Sequence, residues 1–166
     1  MEPIQIPKSG KVIRLLFETS LDTPIGELGL LADDINLLEI SFKGLKGLSV
    51  RGKLEKERFK LEIEQLDQYF SEKRKSFTIN THIEGTDFQR KVFKKMRNIK
   101  YGDVLTYKEL AEKTGHPKAY RAVGSTCGAN RIPIVIPCHR VVSSSGLGGF
   151  GGGLRRKKFL LNLESN

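Results

Sequence analysis

The sequence predicts an α+β protein in which a small, strand-rich N-terminal domain precedes a helical C-terminal domain. Two observations predict this division. Short apolar runs separated by turn residues fill the first part of the chain, and beyond residue 85 apolar residues recur at helical spacing. At 166 residues, the chain can bury a core without disulfides or metal ions. We predict an N-terminal domain over residues 1–80, a linker over 81–85 and a C-terminal domain over 86–166.

The first elements are three predicted strands. Lys11–Glu18 and Glu27–Ala32 flank turn residues at Asp22–Gly26, and Ile35–Phe42 is a third apolar run. These runs are of ordinary strand length, and turn residues separate the first two. They should therefore pair into a small sheet.

A helix is predicted next, over Glu55–Phe70, because the apolar period changes there to that of a helix. Its apolar face comprises Phe59, Ile63, Leu66 and Phe70. Ser76–Ile79 is predicted as a further short strand. The N-terminal domain should therefore contain three or four strands and one helix.

Two helix N-terminal signals follow the linker. Thr86 with Gln89, and Thr106 with Glu109, have the spacing of a capping box, in which each side chain bonds the other residue's backbone N–H. The first of these helices presents a face of Phe88, Val92, Met96 and Ile99. The second is predicted over Tyr107–Thr114.

A third helix is predicted over Lys118–Ala129, with Pro117 in its first turn. Together with the preceding short helix, it forms a candidate helix-turn-helix. One face of it carries small residues: Ala119, Ala122, Gly124, Ser125 and Gly128. Such a face either lets another molecule approach the backbone closely or packs tightly on a neighbouring element.

The next segment, Ile132–Pro137, is an apolar run that contains two prolines. We predict an extended conformation, because proline disfavours both a helix and a central strand. The run leads to Cys138-His139-Arg140. Ser143–Gly153 is a loop by composition, with six glycines in the eight residues 146–153, and Leu154–Glu164 is the last predicted helix.

Charge is distributed unevenly along the chain. Residues 1–85 hold 13 Lys and Arg against 14 Asp and Glu, a net charge of −1, whereas residues 86–166 hold 16 against 5, a net charge of +11. A strongly basic half favours a polyanionic partner such as nucleic acid. A soluble basic surface without a partner is the alternative, and the run Arg155–Lys158 is expected to be a solvated helix face.

Cys138 is a candidate nucleophile. The neighbouring imidazole of His139 and basic surroundings would favour a reactive thiolate over a free thiol of pKa about 8.5. A buried cysteine that acts as a small hydrophobic residue is the alternative. Cys127 is expected to pack rather than react, and the two thiols are expected to be reduced, although they could pair.

The segment Ile136-Pro137-Cys138-His139-Arg140-Val141-Val142 resembles the active-site signature of the 6-O-methylguanine-DNA methyltransferases. Further matching residues lie in the family order: Tyr101-Gly102, Thr106-Tyr107, Arg121-Ala122-Val123-Gly124, Asn130, the glycine loop, and Phe159-Leu160-Leu161 with Glu164. This resemblance covers about residues 86–165. The first 80 residues resemble the family in length and strand–helix pattern, which implies a ribonuclease-H-like N-terminal domain.

The resemblance implies a direct-reversal DNA-repair enzyme. Such a protein binds duplex DNA from the minor groove through the helix-turn-helix and flips 6-O-alkylguanine out of the base stack. It then transfers the alkyl group to Cys138, and 4-O-alkylthymine is implied as a further substrate. Flipping is required because a thiolate cannot reach a base edge inside a duplex. The thioether product is stable, so each protein reacts once and needs no cofactor.

The remaining catalytic roles are also implied by the resemblance. His139 resembles the base that activates the cysteine through a bound water, and Glu164 resembles the carboxylate that orients this histidine. Tyr107 resembles the tyrosine that protonates the leaving guanine oxygen. Asn130 resembles the hinge between the recognition helix and the active-site segment. A helix C-cap is the other interpretation, and the two are compatible. Arg140 is expected to make structural hydrogen bonds only.

Arg121 resembles the finger that enters the base stack and fills the vacancy, with a phosphate contact as the alternative. The small residues of the recognition helix that would lie in the minor groove are Ala122, Gly124 and Ser125. The residues implied for the substrate pocket are Pro133, Val141, Phe150 and Gly151. Many relatives have Tyr-Ser where this chain has Phe150-Gly151, a departure that bears on substrate range rather than on the reaction.

The implied partner is double-stranded DNA containing alkylated guanine, bound by a monomer, and several molecules could cluster on DNA. We predict no zinc site, because zinc-binding relatives use N-terminal Cys and His, and this chain has no cysteine before Cys127. No apolar run approaches ~18 residues, so no membrane partner is expected. We expect an intracellular protein, cytoplasmic or, in a eukaryote, nuclear.

A protein that binds alkylated DNA without repairing it is the main alternative function. Relatives of that kind lack the acceptor cysteine, so Cys138 argues against it. A transcriptional regulator would need neither the Pro-Cys-His-Arg segment nor Glu164, and nothing in the sequence indicates the substrate cleft of a Cys-His hydrolase.

Overall fold

The computed structural model describes residues 14–166. A four-stranded sheet occupies the N-terminal half, and its strands are β1 (Phe17–Thr23), β2 (Gly26–Ala32), β3 (Leu37–Ser41) and β4 (Lys53–Leu54). Their order across the sheet is β3-β2-β1-β4. β2 is antiparallel to both of its neighbours, and β4 runs parallel to β1.

The first strand lies further along the chain than predicted. It begins at Phe17 and continues to Thr23, whereas we expected residues 11–18, of which 11–13 lie outside the described residues. Thr23 pairs with Gly26, so Pro24 and Ile25 alone form the turn. Gly26 has a φ of +106°, which glycine adopts without strain. The hairpin therefore extends through residues that composition assigned to a longer turn.

Helix α1 (Lys60–Phe70) follows a 3₁₀ turn at Lys56–Phe59. The buried residues of α1 are Glu62, Gln65, Leu66 and Tyr69, whereas Ile63 and Phe70 are only half-buried. The polar members of this face can be buried because they are hydrogen-bonded: Arg58 Nη1 donates to Glu62 Oε1 at 3.0 Å. The buried face is therefore displaced around the helix from the predicted face through Ile63 and Phe70.

The strand predicted at Ser76–Ile79 does not form. Gln65 explains why, because its side chain takes up the hydrogen bonds of Thr78. The Thr78 backbone N–H donates to Gln65 Oε1 at 2.9 Å, and Gln65 Nε2 donates to Thr78 Oγ1 at 2.6 Å. The segment is thus fixed by a helix side chain rather than by a neighbouring strand.

The C-terminal half contains helices α2 (Asp87–Arg97), α3 (Tyr107–Lys113), α4 (Tyr120–Gly128) and α5 (Leu154–Glu164). Both predicted capping boxes are confirmed, at Thr86 and at Thr106. The third predicted helix starts later than expected. The Ala119 N–H donates to the His116 carbonyl at 2.9 Å, which closes a separate turn around Pro117 before α4 begins.

The apolar segment Ile132–Pro137 is not extended as predicted. It folds into a turn in which the Ile136 N–H donates to the Ile132 carbonyl at 3.0 Å, and Ile134 adopts a φ of +72°. The side chains of Ile132, Ile134 and Ile136 are all within the core. All six residues of the segment are buried, whereas an extended chain would direct alternate side chains to opposite faces.

A short parallel pair of strands connects this turn to the helix-turn-helix. β5 (Leu105–Thr106) pairs with β6 (Val141–Val142), and a 3₁₀ turn at Cys138–Arg140 lies directly before β6. Because β5 leads into α3, this pairing brings the start of α3 beside the Cys138 segment.

The two halves share one hydrophobic core. The edge strand β3 makes backbone hydrogen bonds to segments before and after the linker. The Leu37 N–H donates to the Asn80 carbonyl at 2.8 Å, and the Ile40 N–H donates to the Arg131 carbonyl at 2.8 Å. Arg131 Nη2 also lies 2.6 Å from Glu39 Oε2. Covering a sheet edge in this way removes a site of unwanted pairing. Within residues 14–166, no helix is long and apolar enough to cross a membrane.

Candidate active site

A cavity of about 260 Å³ lies between α4 and the glycine loop. Its lining residues are Tyr107, Gly124, Cys127, Gly128, Cys138, Gly149, Phe150 and Gly151. The structure therefore brings together residues from four separate parts of the sequence. Among them are Cys138 and Tyr107, which the sequence predicts as catalytic.

The thiol of Cys138 is nearly buried, with 7% of the residue exposed. Burial raises the pKa of this thiol, and the opposing effects of the Asn130 side chain and Lys157 do not overcome it. The expectation that the surroundings favour the thiolate is therefore wrong for the resting site. The thiol holds its proton until a base removes it, and the cysteines at positions 127 and 138 are both free.

The imidazole of His139 is fully buried and pairs with Glu164. Its Nε2 lies 2.7 Å from Glu164 Oε1, which assigns the proton to Nε2 because the carboxylate can only accept. Nδ1 is buried and makes no hydrogen bond within the described part of the chain. Burial lowers the pKa of His139, so the ring is neutral and Nδ1 has a lone pair available for a proton.

Arg140 holds the Glu164 carboxylate in a two-pronged contact. Its Nε donates to Oε2 and its Nη2 donates to Oε1, both at 2.8 Å, and its Nη1 donates to the Ile99 carbonyl at 2.5 Å. Burial alone would raise the pKa of Glu164, but the hydrogen bonds from His139 and Arg140 outweigh it and hold the pKa at about 2. Glu164 is thus an anion behind His139, and the expected structural role of Arg140 is consistent with these bonds.

Asn130 fastens the turn that precedes Cys138. Its Nδ2 donates to the Ile136 carbonyl at 2.8 Å, and its Oδ1 accepts from the Ile132 N–H at 3.0 Å. The C-cap of α4 is Ala129, so the alternative interpretation of Asn130 as a helix cap is wrong. Its position between α4 and the Cys138 segment is the one that a hinge would require.

Tyr107 forms the opposite wall of the cavity. Its hydroxyl accepts a hydrogen bond from the Gly149 N–H at 3.2 Å, and burial raises its pKa, so the phenol is protonated. A Cβ on Gly148 would lie 2.6 Å from this hydroxyl, and Gly148 has a φ of +72°. Glycine is therefore required there for the loop to approach Tyr107.

Comparison with known proteins identifies the family. Residues 87–166 match the model of the 6-O-methylguanine DNA methyltransferase DNA-binding domain, and residues 16–83 match the model of the ribonuclease-like domain of the same enzymes. The chain belongs to the 6-O-methylguanine DNA methyltransferase family. The predicted family and the predicted α+β fold class are both confirmed.

The similarity to individual family members extends over most of the chain. A methylated-DNA–protein-cysteine methyltransferase of Methanosarcina barkeri is 44% identical over 150 residues, which cover 88% of this chain and 95% of that relative. A relative of the same name from Mycobacterium bovis is 37% identical over 89% of this chain and 91% of its own length. A crystal structure of Mycobacterium tuberculosis OGT in complex with DNA is 37% identical, with a TM-score of 0.84 over 90% of this chain and 92% of that one.

The face of α4 predicted to meet DNA in this family is open. Arg121, Ala122, Ser125 and Gly128 are exposed, and Gly124 lines the cavity. The alternative of tight packing on a neighbouring element is therefore wrong for most of these residues. Within residues 14–166 the Arg121 guanidinium makes no hydrogen bond or ion pair, and its central carbon lies 6.0 Å from the ring centroid of Tyr120.

Two residues expected in the substrate pocket are absent from its walls. Pro133 and Val141 are both buried, but neither lines the cavity among the described residues. Cys127, by contrast, does line it. Burial raises the pKa of Cys127 to about 12, which keeps this thiol protonated and agrees with a packing role.

The prediction that Arg155–Lys158 forms a solvated face of α5 is wrong for Lys157. It is fully buried, and its Nζ donates to the Val141 carbonyl at 2.6 Å and to the Gly149 carbonyl at 2.9 Å. The ammonium thus ties the glycine loop to the strand that follows Cys138. The signal for its burial is its spacing from Leu160 and Glu164, which places the three on one helix face.

The aromatic wall of the cavity is supported by the N-terminal half. The rings of Phe150 and Phe42 lie 5.5 Å apart, and the guanidinium of Arg156 lies 5.5 Å from the Phe42 ring centroid. Arg156 Nε also donates to the Ile25 carbonyl at 2.8 Å, and its Nη1 donates to the Gly152 carbonyl at 3.0 Å. The glycine loop is therefore fixed to the β1–β2 turn as well as to α5.

Proposed function

We propose that this protein repairs alkylated DNA by irreversible transfer of the alkyl group of 6-O-alkylguanine to Cys138. One observation carries the proposal: Cys138 lines the cavity beside α4, and the next residue, His139, forms a buried pair with Glu164. Nucleophile, base and orienting group are the parts that covalent catalysis by a thiol needs. The family, and the names of its similar members, support the same reaction.

The transfer breaks the bond between guanine O6 and the alkyl carbon and forms a bond between that carbon and Sγ of Cys138. The thiol is protonated at rest, so its proton passes to Nδ1 of His139 through a bridging water as the base arrives. The Glu164 carboxylate stabilises the imidazolium that forms. Tyr107, whose raised pKa keeps it protonated, donates a proton to the departing guanine, and the proton on His139 replaces it. The net reaction moves the thiol proton to guanine.

DNA would be bound through the exposed small face of α4 laid in the minor groove. Small residues let the helix backbone approach the sugars and bases, and Arg121 would enter the stack as the alkylated base rotates into the cavity. The charge of the C-terminal half, 16 Lys and Arg against 5 Asp and Glu, supplies the attraction to phosphate. If about four to six phosphates are neutralised, the logarithm of the binding constant should fall with the logarithm of salt at a slope of roughly −4 to −5.

The deciding experiment is incubation with excess duplex that contains a single 6-O-methylguanine, followed by peptide mass mapping. We expect repair to stop at one methyl group per protein, on the peptide that contains Cys138. Cys138→Ala should bind the same duplex and transfer nothing, whereas the matched variant Cys127→Ala should transfer normally. Methyl groups on Cys127, or repeated turnover, would overturn the proposal, and binding without transfer by the unaltered protein would favour a lesion-binding function.

A further inference from the structure

We propose that Tyr69, in the N-terminal half, is a positioning residue for the reaction at Cys138: its hydroxyl holds Glu164 and limits the negative charge that His139 meets. The inference rests on the proposed roles of His139 and Glu164. It gives α1, in the N-terminal half, a part in positioning the groups of the site. The thiol, the imidazole, the carboxylate and the phenol of Tyr107 all lie C-terminal to the linker.

The geometry is that of a shared oxygen. Tyr69 is fully buried, and its hydroxyl donates to Glu164 Oε1 at 2.7 Å. The same oxygen accepts from His139 Nε2 at 2.7 Å and from Arg140 Nη2 at 2.8 Å. Tyr69 therefore binds the atom that holds His139.

A neighbouring, half-buried tyrosine satisfies its hydroxyl with a backbone carbonyl instead. A buried tyrosine hydroxyl needs a hydrogen-bond partner, and a backbone carbonyl suffices. Tyr101, whose ring centroid lies 6.0 Å from that of Tyr69, donates to the Leu163 carbonyl at 3.1 Å. Tyr69 instead donates to the only carboxylate that contacts His139 in the described structure.

The chemical consequence has a definite sign. Each hydrogen bond to a carboxylate stabilises its charged form and weakens its attraction for a neighbouring proton. Without the Tyr69 hydroxyl, Oε1 would draw more strongly on the Nε2 proton and would stabilise the imidazolium of His139. The pKa of His139 would then rise, and the ring would be protonated over more of the pH range, with no lone pair to accept the thiol proton.

The other groups around this carboxylate stay in place when the hydroxyl is removed. Arg140 faces both carboxylate oxygens, and the Gly102 N–H lies 3.5 Å from Oε2. Lys157 acts on His139 from α5. Burial and the nearby Glu164 and Glu72 carboxylates raise the pKa of Tyr101, which follows α2. Because Tyr69→Phe changes no formal charge, a shift in the titration of His139 would come from the lost hydrogen bond.

The test compares Tyr69→Phe with Tyr101→Phe, a matched control that loses a tyrosine hydroxyl next to the site without touching Glu164. Two rates are measured against pH: alkylation of Cys138 by iodoacetamide, followed by peptide mass mapping, and transfer from free 6-O-benzylguanine. For Tyr69→Phe we expect the acidic limb of both profiles to move to higher pH by about half a unit to one unit. Tyr101→Phe should leave both limbs in place.

A double-mutant cycle tests whether Tyr69 acts through Glu164. In a Glu164→Ala background, Tyr69→Phe should leave the acidic limb where Glu164→Ala alone places it. An unmoved limb in folded Tyr69→Phe, an equal shift in Tyr101→Phe, or a full shift in the Glu164→Ala background would each overturn the proposal. A lower melting temperature without a shift would also overturn it, because Tyr69 would then be a packing residue only.

The two substrates keep this proposal separate from the proposed function. Iodoacetamide reports the state of the Cys138–His139 pair whether or not the protein acts on alkylguanine. A shifted iodoacetamide profile in a protein that takes no methyl group from DNA would refute the repair function alone. Normal transfer from DNA with an unshifted Tyr69→Phe would refute the role of Tyr69 alone.

Discussion

The two halves of the molecule contribute to the site in different ways. The C-terminal half carries the surplus of positive charge and the thiol, imidazole, carboxylate and phenol of the site. The N-terminal half is nearly neutral and supplies none of these four groups. It nevertheless contacts the site, through Tyr69 at Glu164 and through Phe42 at Phe150. The groups proposed to react thus lie in one half, and part of what holds them in place lies in the other.

The two halves should therefore respond differently to substitution. A change in the C-terminal half should alter a rate or a protonation state directly. A change in the N-terminal half should act through the position of a C-terminal side chain, or through stability alone. Paired substitutions, one in each half, test that distinction.

The largest effect should come from Glu164→Gln. Loss of the anion leaves Arg140 buried without its partner and weakens His139 as a base, so transfer to Cys138 should slow by roughly 10²-fold or more. The free energy of unfolding should fall by about 3–5 kcal/mol, the cost of breaking a buried ion pair. Single-turnover rates and denaturant unfolding measure the two effects.

The control for Glu164→Gln is Glu39→Gln in the N-terminal half. Glu39 is also a buried carboxylate, and it pairs with Arg131. Its loss should lower stability and leave the transfer rate of the folded protein unchanged. A comparable loss of rate in both variants would contradict the division between chemistry and support.

Arg121→Ala should have the next largest effect, and on duplex DNA only. Extruding a base costs a few kcal/mol, so loss of the side chain that replaces it should slow repair of duplex by about 10–100-fold. Transfer from free 6-O-benzylguanine needs no extrusion and should be unaffected. Lys118→Ala, which removes an exposed positive charge just before α4, is the control for charge, and equal losses on both substrates would point to a folding defect.

Phe42→Ala should alter substrate preference by several-fold at most. Without the Phe42 ring, Phe150 loses a support on the side away from the cavity, and the wall can retreat from larger alkyl groups. The ratio of transfer from 6-O-benzylguanine to transfer from 6-O-methylguanine should therefore rise. Phe17 is a half-buried residue at the end of β1 opposite the β1–β2 turn. Phe17→Ala should therefore destabilise the protein without changing this ratio. An unchanged ratio in Phe42→Ala would confine Phe42 to packing.

Mild acid should have the smallest effect. The pKa of His139 is lowered in the folded protein, so below about pH 6.5 the unfolded chain binds a proton that the folded chain does not. Stability contributed by neutral His139 is therefore present above that pH and is lost as the pH falls. Glu164, with a pKa of about 2, adds its own loss only below its unfolded pKa of roughly 4.3. The protection factors for hydrogen exchange should thus fall in α5 at about pH 5 before they fall in β1 and β2.

How far the sequence predicts this site depends on how local each contact is. The capping boxes at Thr86 and Thr106 involve residues three apart, and both are confirmed. The Cys138-His139-Arg140 segment is contiguous, so its resemblance to a family is visible directly. Tyr69 and Glu164 are 95 residues apart, and no periodicity or spacing pattern links residues at that distance.

Other failures of prediction come from burial overriding local preference. Lys157 lies among three other basic residues, which indicates a solvated face, yet two backbone carbonyls satisfy its ammonium inside the protein. The prolines of Ile132–Pro137 correctly exclude a helix and a central strand. They do not reveal that the segment bends into a turn in which all six of its residues are buried.

The exposed face of α4 has a thermodynamic consequence. Its small residues, Ala122, Gly124, Ser125 and Gly128, have few side-chain rotamers or none. A surface that binds them therefore immobilises little side-chain motion. Binding normally costs about 0.5–1.5 kcal/mol for each rotamer-rich side chain that is immobilised. On this helix face that entropic cost falls mainly on Arg121, whose long side chain is also the one proposed to enter the base stack. If Arg121 enters the base stack as proposed, ordering of the helix surface would be concentrated in the step that extrudes the base and would be nearly absent from the first encounter with the duplex.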